Sequence, residues 1–211
     1  MEKALAKVRV VYGDNLKSIC RYRRYDETLW IIVLGKSDLR ASYMLRKIYR
    51  RHPFIVFLEH DLTGGEDVFP LEYLHMKTHT ELIEGNDYFQ DLVLQKKDLR
   101  TQLEYEIRNK LIYLRQECVQ AKNPKQLLKK IIPQFVVFLE TLFFLQDEIP
   151  QRKIIQDIKK IETLYGISFK EVIKIVVEQE DGVRLSKSEI PDKIQLVHDE
   201  LETLLHTVNQ M

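Results

Sequence analysis

The chain has 211 residues, with 33 lysines and arginines against 32 aspartates and glutamates, for a formal net charge of +1. At 45% apolar and 31% charged residues it is not a disordered chain, and the balanced charge removes the whole-molecule case for a nucleic-acid or membrane binder. Two cysteines, Cys20 and Cys118, exclude a disulfide framework and fit a reduced, cytoplasmic setting.

The N-terminal stretch MEKALAKVRVVYGD carries charges throughout and has no apolar signal core. Residues 16–24, LKSICRYRR, predict a strand that hairpins through Tyr25 and Asp26 into the next. Leu29 to Leu34, LWIIVL, and Pro53 to Leu58, PFIVFL, predict buried strands, because short β-branched and aromatic runs are bounded by turn residues. Between them, Leu39, Tyr43, Met44, Lys47 and Ile48 fall at helical spacing, and Ser37 before Asp38 predicts the helix start. Strand, helix, strand over 27–59 then implies a parallel pair with a right-handed crossover. His79 to Glu84 predicts a further short strand.

The pattern changes at about residue 96. Leu99, Leu103, Ile107, Leu111, Leu114 and Cys118 form one helix face over 97–121, with Glu104–Arg108 and Glu106–Lys110 as i,i+4 pairs. Asn123 and Pro124 predict the start of a second helix, apolar on most sides, running to about Gln146 with a kink at Pro133. Its greasy part, 131–145, contains Pro133, Gln134, Glu140 and Thr141, too short and too polar for a bilayer. Further helices fit 151–164, 168–179 and 186–208, with Gly166 as a C-cap and Ser186 with Glu189 as a capping box. The expected fold is α+β: a small mixed sheet with flanking helices over 1–95, followed by an all-α bundle over 96–211.

Charge is segregated. Residues 8–51 hold 11 basic and 4 acidic side chains, and residues 57–93 hold 1 basic and 9 acidic. Either the two segments neutralise each other, or the basic stretch 21–51 is a face for phosphate or nucleic acid. Gly35-Lys36-Ser37 follows a strand and opens a helix as a phosphate loop does, but Trp30 stands where that motif needs its first glycine. His75 and His79 are spaced i,i+4, with His60 and Asp61 upstream, and no third metal ligand is fixed by spacing. Glu59, Asp61, Glu66, Asp67 and Glu72 cluster as a solvated acidic loop. Cys20 and Cys118 both read as small core residues.

Phe69 to Lys77, FPLEYLHMK, the strand ending at Gly85, and the helix pattern Leu99 to Leu111 together resemble bacterial proteins with a minimal nucleotidyltransferase domain of the DNA polymerase beta superfamily. The resemblance spans Val68 to Gln116, and the helical remainder, including the stretch from Gly182 to Ser188, also fits. The resemblance implies a Gly-Ser turn after the first strand and, about ten residues on, Asp-x-Asp or Asp-x-Glu holding Mg²⁺. Here neither is intact. No Gly-Ser follows residues 16–24, and Asp26 aligned on the first carboxylate leaves Thr28 on the second. The expectation is therefore a degenerate nucleotidyltransferase fold without transfer activity and without a cofactor, acting as a binding or regulatory module. Its ligand would be a protein partner, a second copy, a nucleotide or a nucleic acid. If the site were active in an altered form, Asp26, Glu27 and Glu59 would be its carboxylates and Mg²⁺ its cofactor. Arg23, Arg24, Lys36 and Ser37 would hold phosphate.

Overall fold

The computed structural model describes residues 2–24, 27–120, 125–180, 186 and 188–211, apart from the side chains of 24, 125, 126, 129–133, 179 and 180. The chain is α+β and forms two compact units, Met1–Gln95 and Lys96–Met211.

The first unit opens with α1 (Glu2–Tyr12) and a short 3-10 turn (Gly13–Asn15), then the hairpin strands β1 (Leu16–Arg24) and β2 (Glu27–Leu34). Two short helices, α2 (Leu39–Met44) and α3 (Arg46–Tyr49), lead to β3 (Phe54–Leu58), and α4 (Glu59–Leu62) and α5 (Pro70–His79) to β4 (Thr80–Gly85). The sheet order is β3-β2-β1-β4, with β1 antiparallel to both neighbours and β2 parallel to β3. The missing alternation in LWIIVL has a direct cause. Trp30, Ile32 and Leu34 pack on one face against Leu5, Val8, Tyr12, Ala41 and Leu45. Leu29, Ile31 and Val33 pack on the other against Leu62, Tyr73, Met76, Phe89 and Leu92. A central strand covered on both faces buries every side chain, each stabilising by about 1.5–3 kcal/mol.

The helix expected over 37–51 is broken. Asp38, not Ser37, caps it, its carboxylate accepting from Ala41 N at 2.9 Å. Leu45 leaves helical geometry at φ −86°, ψ 0°, dividing α2 from α3. The buried residues are Ala41 and Leu45, whereas Leu39, Tyr43 and Met44 are exposed at 80%, 67% and 61%. The apolar spacing therefore points away from the sheet, because Ala41 and Leu45, four residues apart, form the inward face and Leu39, Tyr43 and Met44 lie off it.

The second unit comprises α6 (Lys96–Gln120), α7 (Lys125–Leu145), α8 (Ile154–Tyr165), α9 (Lys170–Glu180) and α10 (Ile190–Asn209). The stripe Leu99, Leu103, Ile107, Leu111 and Leu114 is buried, but Cys118 is exposed, since the last turn of α6 extends beyond the core as Val119 does. The α7 helix, which touches α6, α8 and α9, continues through Pro133 without ending there. Asn123 and Pro124 lie outside the described residues, as does Gly182. Gly166 ends α8 at φ +66° as a left-handed cap. Ser186 N donates to the Glu189 carboxylate at 3.1 Å, but the Ser186 hydroxyl contacts Ser188 and the helix starts only at Ile190, so the capping box is half formed.

The N-terminus of α9 is capped from another helix. Glu200 accepts from Glu171 N at 2.7 Å and Val172 N at 3.1 Å. Burial nonetheless pushes its carboxyl above the ordinary 4.5, outweighing these two bonds. The folded state thus binds the proton more tightly than the unfolded chain, and the stability this confers is lost as pH rises through the folded value. Glu200→Gln is expected to flatten that part of the pH dependence. Glu200→Ala is expected to cost about 1–2 kcal/mol by orphaning two amides. Urea unfolding at pH 5 and pH 8 separates the two effects.

Candidate functional site

The acidic and basic segments meet in part. Arg21 lies opposite Glu81 across β1–β4 and pairs with it at 3.2 Å. Arg23 reaches the same carboxylate at 3.7 Å, and Arg9 pairs with Glu84 at 2.6 Å. Lys77, the one basic residue of 57–93, donates to the carbonyls of Gln90 and Leu92. Arg21 and Arg23 are thus neutralised by Glu81 of β4, as opposite charges on facing strands should be.

Among the described residues, those expected to bind metal or phosphate are not gathered in one place. Leu34 pairs with Leu58 in the parallel register, so Glu59 follows at the C-terminal end of β3 while Glu27 begins β2. That places them at opposite ends of the sheet, separated by roughly 25 Å of strand. Paired metal ions in transfer enzymes lie about 3.5–4 Å apart, so Glu27 and Glu59 do not share a Mg²⁺ site. Asp26 and Tyr25 lie outside the described residues, and so does the side chain of Arg24. Glu59 instead accepts a hydrogen bond from the Tyr88 hydroxyl, which, after burial, helps to raise the Tyr88 pKa. Asp61 caps Leu58 N at 2.8 Å.

Arg23 likewise sits at the Glu27 end of the sheet, opposite Thr28, while Lys36 and Ser37 follow the far end of β2. The Lys36 backbone is clamped by the Asn15 amide, accepting and donating at 2.9 Å each. Asp38 already fills the mouth of α2. The Gly35-Lys36-Ser37 turn is therefore an ordinary strand-to-helix connection, with the Gly35 and Lys36 amides both held by Asn15.

His75 is buried, its Nδ1 lies 2.6 Å from the Tyr22 hydroxyl, and its ring stacks on His79 at 4.3 Å. In the second unit His198, Asp199 and Glu202 bring ligand atoms together. Arg115 already occupies that cluster, donating to His198 Nε2 at 3.1 Å and standing 3.7 Å from Glu202. A guanidinium in that position repels a metal ion, and the set does not fit one.

What remains is the α2–α3 surface. Residues 39–51, LRASYMLRKIYRR, contain five basic residues and no acid. Arg40, Arg46, Lys47, Arg50 and Arg51 are all exposed, and among the described residues none forms an ion pair. Interleaved with them, Leu39, Tyr43, Met44 and Tyr49 are exposed too. Arg46 lies over the Tyr43 ring at 4.4 Å, a cation–π arrangement. Exposed aromatic rings set among unpaired cations suit bases and phosphates respectively. The sequence contained the acid-free run, but helical spacing alone did not say that the face with Tyr43 and Met44 turns outward.

Among the described residues, no helix is long and apolar enough to cross a membrane. The chain matches no protein-family model and no curated protein.

Proposed function

We propose that this chain is a binding module for single-stranded nucleic acid, built on a nucleotidyltransferase-like first unit that does not transfer nucleotides. The observation that carries the reading is the acid-free surface of 39–51, with five unpaired cations around exposed Tyr43 and Tyr49. Cations track a phosphate backbone, and rings stack on unpaired bases without demanding a sequence.

The connection between β1 and β2 supports the reading that transfer chemistry is lost. Arg24 pairs with Glu27, leaving two residues between the strands. A glycine-serine turn and the helix it opens need more chain than that. The separation of Glu27 from Glu59 divides the carboxylates that an altered site would need together. The resemblance at Val68 to Gln116 supplies the link to nucleotidyltransferases, and the surface supplies the ligand.

The experiment pairs two assays. Labelled NTPs with Mg²⁺ or Mn²⁺ are expected to give no transfer to protein or nucleic acid. A fluorescent single-stranded oligonucleotide is expected to bind at low salt. Tyr43→Ala is expected to weaken that binding roughly 5- to 100-fold through lost stacking. Metal-dependent transfer, or binding indifferent to Tyr43, would refute the reading.

A further inference from the structure

The exposed cations of 39–51 have a neighbour in the same layer. Leu5, Val8 and Tyr12 of α1 pack on the same face of the sheet as Ala41 and Leu45. Arg9 of α1 reaches Glu84 of β4, while Tyr49 meets Phe54 of β3 edge-on at 5.3 Å. With the strand order β3-β2-β1-β4, α1 lies toward the β1–β4 side of that face, and α2 and α3 lie toward the β2–β3 side. The two sides join where the Tyr12 and Ser42 hydroxyls meet at 2.9 Å.

The outward face of α1 carries the same kinds of side chain as 39–51. Because Leu5, Val8 and Tyr12 turn to the sheet, Lys3, Lys7 and Val10 fall on the opposite side, at i, i+4 and i+7 spacing. All three are exposed, Val10 at 83%. Arg9 is held by Glu84, whereas Lys3 and Lys7 form no ion pair among the described residues. The acids nearest in sequence, Glu2 and Asp14, flank this face at its two ends. Two cations beside an exposed apolar residue thus adjoin five cations set among exposed rings.

We propose, on the reading of 39–51 as a nucleic-acid surface, that a single strand long enough to run past α2 and α3 passes onto α1, where Lys3 and Lys7 hold its phosphates. Packed helices lie about 8–10 Å apart. A strand advancing about 3.4 Å per nucleotide crosses that gap in about three nucleotides. Surfaces of this kind hold roughly 4–16 nucleotides, so a short strand stays on 39–51 and a long one also covers α1.

Fluorescence anisotropy with oligo-deoxythymidine of increasing length, from about 4 to about 16 nucleotides, tests this. In the unaltered chain the slope of log affinity against log salt is expected to steepen by about 1.4 between short and long strands, about 0.7 for each added phosphate contact. Lys3→Glu with Lys7→Glu is expected to lower affinity for the long strand roughly tenfold or more and to leave the short one within about twofold. Lys3→Arg with Lys7→Arg is expected to keep the length dependence. Lys159→Glu with Lys170→Glu, the same change of charge at exposed positions of the second unit, is expected to keep it too. Amine-reactive labelling of the unaltered chain gives a readout independent of variants: long strands protect Lys3 and Lys7, and short ones do not. Failure of every length to bind would overturn the nucleic-acid reading and this extension with it. Short strands that bind through Tyr43, with long ones indifferent to Lys3→Glu and Lys7→Glu and both lysines unprotected, would overturn the extension alone.

Discussion

Reversing Arg46, Lys47 and Arg50 to glutamate together is expected to lower affinity for a single-stranded oligonucleotide at least a hundredfold at low salt. The substitutions turn the charge of 39–51 from +5 to −1. Each phosphate neutralised on a single strand contributes about 0.7 to the slope of log affinity against log salt, and repulsion replaces three such contacts. The fold should tolerate the change. All three side chains are exposed, and surface substitutions of this kind usually stay within about 0.5 kcal/mol. Circular dichroism and melting of the triple variant, run beside fluorescence anisotropy, separate lost binding from lost structure. Reversing Arg21 and Arg23 is the comparison, since both already face Glu81, and a much smaller loss is expected there.

Gly85→Ala is expected to cost the first unit roughly 3 kcal/mol or more. Gly85 sits at φ +87°, where L side chains are strained, and its added Cβ would lie 2.0 Å from Lys17 O and 2.9 Å from the Ser18 Cα. Both neighbours are backbone of β1, which cannot swing aside as a side chain can. Ser18 pairs with Gly85, so displacing it loosens the β1–β4 ladder and with it Glu81 and Glu84. Trp30, the single tryptophan, is buried in β2 and reports this unit alone. Its fluorescence melt is expected to shift down by more than about 10 °C. Gly13→Ala is the control. Gly13 also has a positive φ, +51°, but nothing lies within 4 Å of its added Cβ, so only the backbone cost of about 1 kcal/mol applies.

The strands were legible because burial on both faces leaves an unmistakable mark. LWIIVL carries no polar residue, and its hairpin partner and its parallel neighbour were placed from flanking turn residues. The long helices of the second unit were legible for the same kind of reason: Leu99 to Leu114 repeats at helical spacing over enough turns to outweigh noise. Short elements were not. In α1 the face Leu5, Val8 and Tyr12 is interrupted by exposed Val10, so the sequence shows no clean stripe. In α2 and α3 the spacing of Leu39, Tyr43 and Met44 matched a helix but not the face that turns inward, because a break at Leu45 resets the register. Cys118 carried the right spacing past the point where the bundle ends.

The candidate site divides along the same line. The order of strands separates Glu27 from Glu59 and Arg23 from Lys36, and no local pattern reports strand order. Neutralisation of Arg21 and Arg23 depends on β4 lying beside β1, which is equally nonlocal. The absence of acids from 39–51, by contrast, is local and was readable. The exposure of its aromatic residues required the fold.

The central claim is tested most directly by one titration of the unaltered chain with a fluorescent single-stranded oligonucleotide across a range of salt concentrations. If the five cations of 39–51 all engage phosphates, log affinity falls against log salt with a slope near −3.5, about 0.7 for each. Absence of binding at low salt, or an affinity that does not change with salt, would contradict the account.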